Sequence, residues 1–198
     1  MTDMAVAATA PATEAGRPLG WWGMVSLIAT EATIFAGLLS SYFFLRATSA
    51  AWPQGGIDAP ELGRISVFTV VLLASSVPLI WAESAVRRDR QGQVRVALFS
   101  SFVLGAVFLV NQILEYRGLG FGPRDNAYGS IFYATTGLHG AHVAIGLLMN
   151  VVVQAKARLG RLGPDRHLTL SVFALYWHFV DVVWIFVFSS LYISPHLR

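Results

Sequence analysis

The 198 residues contain no cysteine. Disulfides, thiolate metal centres and cysteine nucleophiles are therefore excluded. Charge is scarce too. Asp, Glu, Lys and Arg make up 13% of the chain against 55% hydrophobic residues, whereas a soluble domain carries about 25% charged residues. Also missing are a glycine-rich phosphate loop, a Ser/His/Asp arrangement of catalytic type, an internal repeat and the paired broken helices of many transporters. No basic segment followed by an apolar core and cleavage site opens the chain, so no removable signal is expected. The sequence pI is about 9.6, but it does not point to nucleic acid. The basic residues sit in short loops between apolar runs, where they set membrane orientation. With a mean hydropathy of +0.59, the chain reads as an integral membrane protein.

Five apolar runs are each long enough to span about 30 Å of hydrocarbon. They lie near residues 21–45, 62–85, 94–116, 128–155 and 168–193. The predicted fold is all-α: a bundle of five transmembrane helices over residues 19–198, preceded by a disordered tail over 1–18. The tail is rich in Ala, Thr and Pro, a composition that buries little apolar surface. Short connections make neighbouring spans antiparallel. Nine Lys and Arg residues then share a side with the N-terminus, including Arg87, Arg88, Arg90, Lys156 and Arg158, and five lie opposite. That asymmetry predicts a cytoplasmic N-terminus. The basic loops also suit anionic lipid headgroups.

The fifth run holds the segment Tyr176-Trp177-His178-Phe179-Val180-Asp181-Val182-Val183-Trp184. An ionised carboxylate near a span's centre costs about 2.5–3.5 kcal/mol on insertion scales. His178 and Asp181 are three apart and share a helix face, with Ser189 and Tyr192 expected on the same side. The first run carries Glu31 about 15 Å deep at 1.5 Å per residue, and a small-residue stripe, Thr33, Gly37 and Ser41, that permits close helix contact. In the second, Pro78 should bend the helix and free a carbonyl near Ala74 for a serine or a neighbour to satisfy. Glu83 should snorkel or pair with Arg87. In the third, Ser101, Gly105, Gln112 and Glu115 share one face and suit interhelical hydrogen bonds. Asp125-Asn126 reads as the N-cap of the fourth, whose Thr135, His139, His142 and Gly146 form a stripe with Gly137 and Gly140 beside it, open to another backbone.

Glu31, His139, His142, His178 and Asp181 all fall in the middle third of the bilayer. One polar layer shared by the first, fourth and fifth spans would give each a partner and keep all five from lipid. Spacing alone leaves three readings open for it: a metal site, a proton or ion relay, or hydrogen bonds that lock the helices.

The segment 176–184 resembles the last-helix signature of subunit III of haem–copper cytochrome c oxidases. Thr136-Gly137-Leu138-His139-Gly140-Ala141-His142-Val143 is similar to a second family motif, and Tyr128-Gly129-Ser130 with Phe132-Tyr133 fits ahead of it. Glu31-Ala32-Thr33-Ile34-Phe35-Ala36-Gly37 resembles the family's helix with a carbodiimide-reactive glutamate at the position of Glu31. Leu72-Leu73-Ala74-Ser75-Ser76 and Gln112-Ile113-Leu114-Glu115-Tyr116 match further segments. The resemblance spans roughly residues 20–195. It implies an accessory, non-redox subunit of an aerobic terminal oxidase in the bacterial cytoplasmic membrane. Such a subunit packs on catalytic subunit I, binds structural phospholipid and supports proton uptake and sustained turnover. Haem and copper would then belong to partner subunits, with no metal and no catalytic centre in this chain. Glu31 would be the functional carboxylate. Seven-helix members form a lipid-filled cleft with two extra helices; this chain begins at the equivalent of their third. Quinol oxidases and nitric-oxide-reductase-associated proteins have a similar subunit. A free-standing proton channel or transporter is the alternative of another class.

Overall fold

A computed structural model describes residues 17–197. Those residues hold helices and no strand, and five helical segments are long and apolar enough to cross a membrane. The expected tail falls largely on residues 1–16, outside the described residues. Arg17 and Pro18 directly precede α1, with the Arg17 guanidinium 4.0 Å from the Trp21 ring centre.

The first span is α1 (Leu19–Thr48) and the second consists of α2 (Leu62–Ala74) and α3 (Ser76–Arg87). The third is α4 (Gln91–Tyr116), the fourth α5 (Ala127–Arg158) and the fifth begins with α6 (Leu168–Phe188). The break between α2 and α3 follows from Pro78. Its ring clashes with the carbonyl four residues back, at Ala74, and it has no N–H to offer there. Ser75 Oγ bonds instead the Leu72 carbonyl at 2.6 Å, which also accepts the Ser75 backbone N–H, two residues before the expected position. The N-cap of α5 forms as expected: Asn126 accepts from the Gly129 N–H at 2.8 Å. Its Nδ2 donates to the Gln54 carbonyl at 3.0 Å and so ties the first loop to the fourth span. Gly55 and Gly56 in that loop have φ of 76° and 72°, a region glycine enters without strain.

The bundle is built around α6, which packs against α1, α2, α3 and α5. Its span is the most buried of the five, and α1 the least. Trp177 and Trp184 of α6 are fully buried. Two glycines make room for the first. A Cβ at Gly105 would lie 2.8 Å from the Trp177 ring, and one at Gly146 2.5 Å from it. The close approach expected at Gly137 and Gly140 is therefore made elsewhere, by a side chain; those two meet only ordinary contacts at 3.9 and 3.8 Å. The Thr33–Gly37–Ser41 stripe is exposed, and among the described residues no neighbour approaches Gly37. Thr33 and Ser41 bond back to carbonyls of their own helix.

After α6 the chain makes a π-turn at Ser189–Ile193 and a 3-10 turn at Ser194–His196. A π-turn inserts an extra residue and rotates the residues beyond it about the helix axis. Ser189, where the turn begins, faces outward in helical register with the exposed Val182, Ile185 and Phe186, while Ser190 and Tyr192 are buried. Arg46 fastens this end to α1: its guanidinium donates to Ser194 Oγ at 2.5 Å and to the Leu197 carbonyl at 2.7 Å.

Candidate functional site

The five mid-bilayer residues do not form one network among the described contacts. They fall into two hydrogen-bonded groups and one isolated histidine, because the bulk of α6 and its tryptophans stands between them.

The first group joins α1 to α5. His142 Nε2 lies 3.1 Å from Glu31 Oε2, the one ion pair among the described residues. His142 Nδ1 lies 2.8 Å from the Leu138 carbonyl. A carbonyl oxygen only accepts, so Nδ1 carries a hydrogen. The contact at Nε2 then needs a second proton, on the imidazole or on the carboxyl. Phe35 packs edge-on against the ring. Tyr176 of α6 lies parallel to it and donates to the His142 carbonyl at 3.1 Å. The side chain of Glu31 is 26% exposed against 8% for His142, so the pair opens outward on the Glu31 side.

The second group joins α3 to α6. Ser76 Oγ donates to Asp181 Oδ2 and lies 3.1 Å from His178 Nδ1. With its single hydrogen given to the carboxylate, Ser76 accepts from His178, making the ordered chain His178, Ser76, Asp181. Asp181 is buried, and its Oδ1 has no partner among the described residues. His178 lines a groove shared with Arg17, Glu83, Arg87 and His167. The groove therefore leads, through one hydroxyl, to a buried carboxylate. Glu83 makes no ion pair with Arg87 among the described residues; both sit on this groove.

His139 is fully buried, and neither ring nitrogen is bonded among the described residues. It packs on Trp184, ring centres 4.6 Å apart, with Phe108 edge-on at 6.0 Å. Glu115 and Gln112 lie farther along α4. Gln112 donates to the Tyr192 hydroxyl at 3.4 Å, while Gln112 Oε1 and Glu115 Oε2 are unpartnered. No group of three or more His, Asp or Glu side chains placed to hold a metal occurs among the described residues.

Thr69 is a partner of the fifth span that the motif pattern does not single out; Ser75 and Ser76 lie in a matched segment, but their bonds to the fifth span are not legible from it. Trp177 Nε1 donates to Ser75 Oγ at 2.8 Å, and Trp184 Nε1 to Thr69 Oγ1 at 3.0 Å. With the two bonds of Ser76, every polar side chain from Trp177 to Trp184 is therefore answered by the second span. A signal for this does exist in the sequence. Trp177 and Trp184 are seven apart, a spacing that keeps one helix face, and their partners Thr69 and Ser75 are six apart along the second span.

Comparison with known proteins shows the family. The family model for cytochrome c oxidase subunit III matches residues 10–195. The chain belongs to the cytochrome c oxidase subunit III family. Cytochrome c oxidase subunit 3 of Thermostichus vulcanus is 36% identical over 172 residues, covering 86% of this chain and 85% of the relative. Its Synechocystis counterpart is 34% identical over 180 residues, with 90% and 77% covered. That of Drosophila yakuba is 33% identical over 177 residues, with 86% and 68% covered. As a member of the subunit III family, the chain is a multi-pass membrane protein and one component of an oxidase complex.

Proposed function

We propose that this chain is the accessory, non-redox subunit of a bacterial cytochrome c oxidase, packed on catalytic subunit I in the cytoplasmic membrane with its N-terminus inside. It binds lipid and supports proton uptake and sustained turnover, while haem and copper reside in the partner subunits. The observation that carries the proton role is the Glu31–His142 contact. With the Leu138 carbonyl against His142 Nδ1, Nε2 and the Glu31 carboxyl face each other at 3.1 Å, a geometry that suits the passing of a proton between them. Glu31 is the partner nearer the surface, where a proton from water or a headgroup can be collected and passed to a neighbour. The exposed face of α1 bearing Thr33, Gly37 and Ser41 supports assembly, since side chains that small let a partner helix come close. The excess of basic residues on the N-terminal side supports the orientation.

The test is Glu31→Gln in the intact oxidase. The amide still reaches His142 Nε2, as a donor, but stores no proton. The initial rate of oxygen consumption should be largely kept, while proton uptake slows and activity declines sooner over many turnovers. If initial rate, pumping and longevity are all unchanged, Glu31 is structural and the proton role is lost.

A further inference from the structure

An apolar groove of about 390 Å³ runs between α2 and α4, walled by Phe68, Phe102, Val107 and Val110. Its walls belong to two membrane spans, so a hydrocarbon chain is the occupant its surroundings supply. Arg64 and Asn111 close one end. A second cavity, of about 560 Å³, shares Arg64 and Leu114 with the first and runs under the loops 55–61 and 118–121. The loops place it at headgroup level, and Asp58, Glu61 and Glu115 line it.

The junction is built of polar groups that the chain itself leaves unused. Arg64 Nε donates to Asn111 Oδ1 at 2.6 Å, which holds the guanidinium in place. Its two terminal nitrogens have no partner among the described residues. Asn111 is 2% exposed, yet its Nδ2 has no partner among the described residues, nor has Glu115 Oε2. A buried polar group without a partner costs about 1–3 kcal/mol, so a ligand that satisfies these atoms is favoured. One cation stands at the mouth of the groove, and three carboxylates line the cavity beyond it. A headgroup that is only anionic meets those carboxylates as like charges. A phosphate followed by an ammonium matches the order.

We propose that this junction binds one glycerophospholipid with a primary-amine headgroup. An acyl chain lies in the α2–α4 groove, the phosphate on Arg64 and Asn111, and the amine among Asp58, Glu61 and Glu115. This gives the lipid-binding part of the proposed function a definite site and rests on that part alone; the proton role of Glu31 is independent of it.

The full-length chain, in its oxidase complex, is titrated with phosphatidylethanolamine and with phosphatidylglycerol of matched acyl chains, and bound lipid is read by native mass spectrometry. One phosphatidylethanolamine should be retained in preference to phosphatidylglycerol. Arg64→Ala should weaken retention about tenfold, the loss of a charge-assisted hydrogen bond. Glu115→Gln should narrow the preference between the lipids. Val107→Trp, at a lipid-facing position 43% exposed, should block the groove with the headgroup site intact. It decides the matter if Arg64→Ala does not fold. Equal retention in wild type, Arg64→Ala and Val107→Trp would overturn the proposal, as would phosphatidylglycerol binding as well as phosphatidylethanolamine. Either outcome leaves the turnover test of Glu31→Gln unaffected.

Discussion

Replacing Ser76 by alanine probes the link between the second and fifth spans most directly. The hydroxyl serves two partners, donating to Asp181 Oδ2 and accepting from His178 Nδ1. Asp181 is 6% exposed and its other oxygen already has no partner among the described residues. The substitution leaves that carboxyl with no bond. A hydrogen bond to a charged group contributes about 1.5–3 kcal/mol. His178 is less buried and lines a groove, so its ring can turn to water and loses little. Removing one oxygen opens almost no cavity. Ser76→Ala should therefore destabilise the bundle by about 2–3 kcal/mol, nearly all of it through Asp181. A double-mutant cycle with Asp181→Leu separates this from a packing effect. Once the carboxyl is gone, losing the hydroxyl should matter little, so the two substitutions couple by about 1–3 kcal/mol. The assay is reversible unfolding of the chain in lipid bicelles, followed by tryptophan fluorescence. A loss below about 0.5 kcal/mol for Ser76→Ala, or additive behaviour in the cycle, would refute this reasoning.

Two further substitutions test the packing around α6 by the same unfolding assay. Gly146→Ala puts a Cβ 2.5 Å from the Trp177 ring and should cost about 1–3 kcal/mol through overpacking. Gly140→Ala, with its nearest atom at 3.8 Å, should be close to neutral; equal effects would mean that Trp177 is not seated between Gly105 and Gly146. His139→Leu removes two buried ring nitrogens that have no partner and should leave stability unchanged or raised, because an unpaired buried polar group is unfavourable. A loss above about 3 kcal/mol would show that the imidazole is bonded to something that restores its balance.

How much of the site could be read in advance depended on the kind of signal. Asn126 as a cap was legible because capping is local: an oxygen, a turn and the N–H three residues on. The break in the second span was legible from Pro78 for the same reason, and its position is set by the carbonyl four residues back. The partner of Asp181 was not legible. Ser75 and Ser76 stand beside a proline and read as repairs to its backbone, but Ser75 Oγ bonds the Leu72 carbonyl and Ser76 bonds across to the fifth span. Gly137 and Gly140 resemble an approach site as strongly as Gly105 and Gly146 do. Which glycine faces a tryptophan depends on helix rotation, which spacing within one helix leaves free.

The sequence by itself determined that this is a membrane protein of five apolar spans, that polar residues lie at one depth within them, and to which family it belongs. Composition, run length and motif identity are one-dimensional properties, and the lipid solvent turns run length into span number. Tertiary structure alone decided how the polar residues are shared out. Glu31 and Asp181 each lie about 18–20 Å along their helices from the same end at 1.5 Å per residue, which invites a single layer. They meet different partners because α6 has α1 and α5 on one side and α3 on another, with Trp177 and Trp184 filling its interior. Depth comes from counting residues; azimuth comes only from packing, and here it brings Glu31 against His142 and Ser76 against His178 and Asp181.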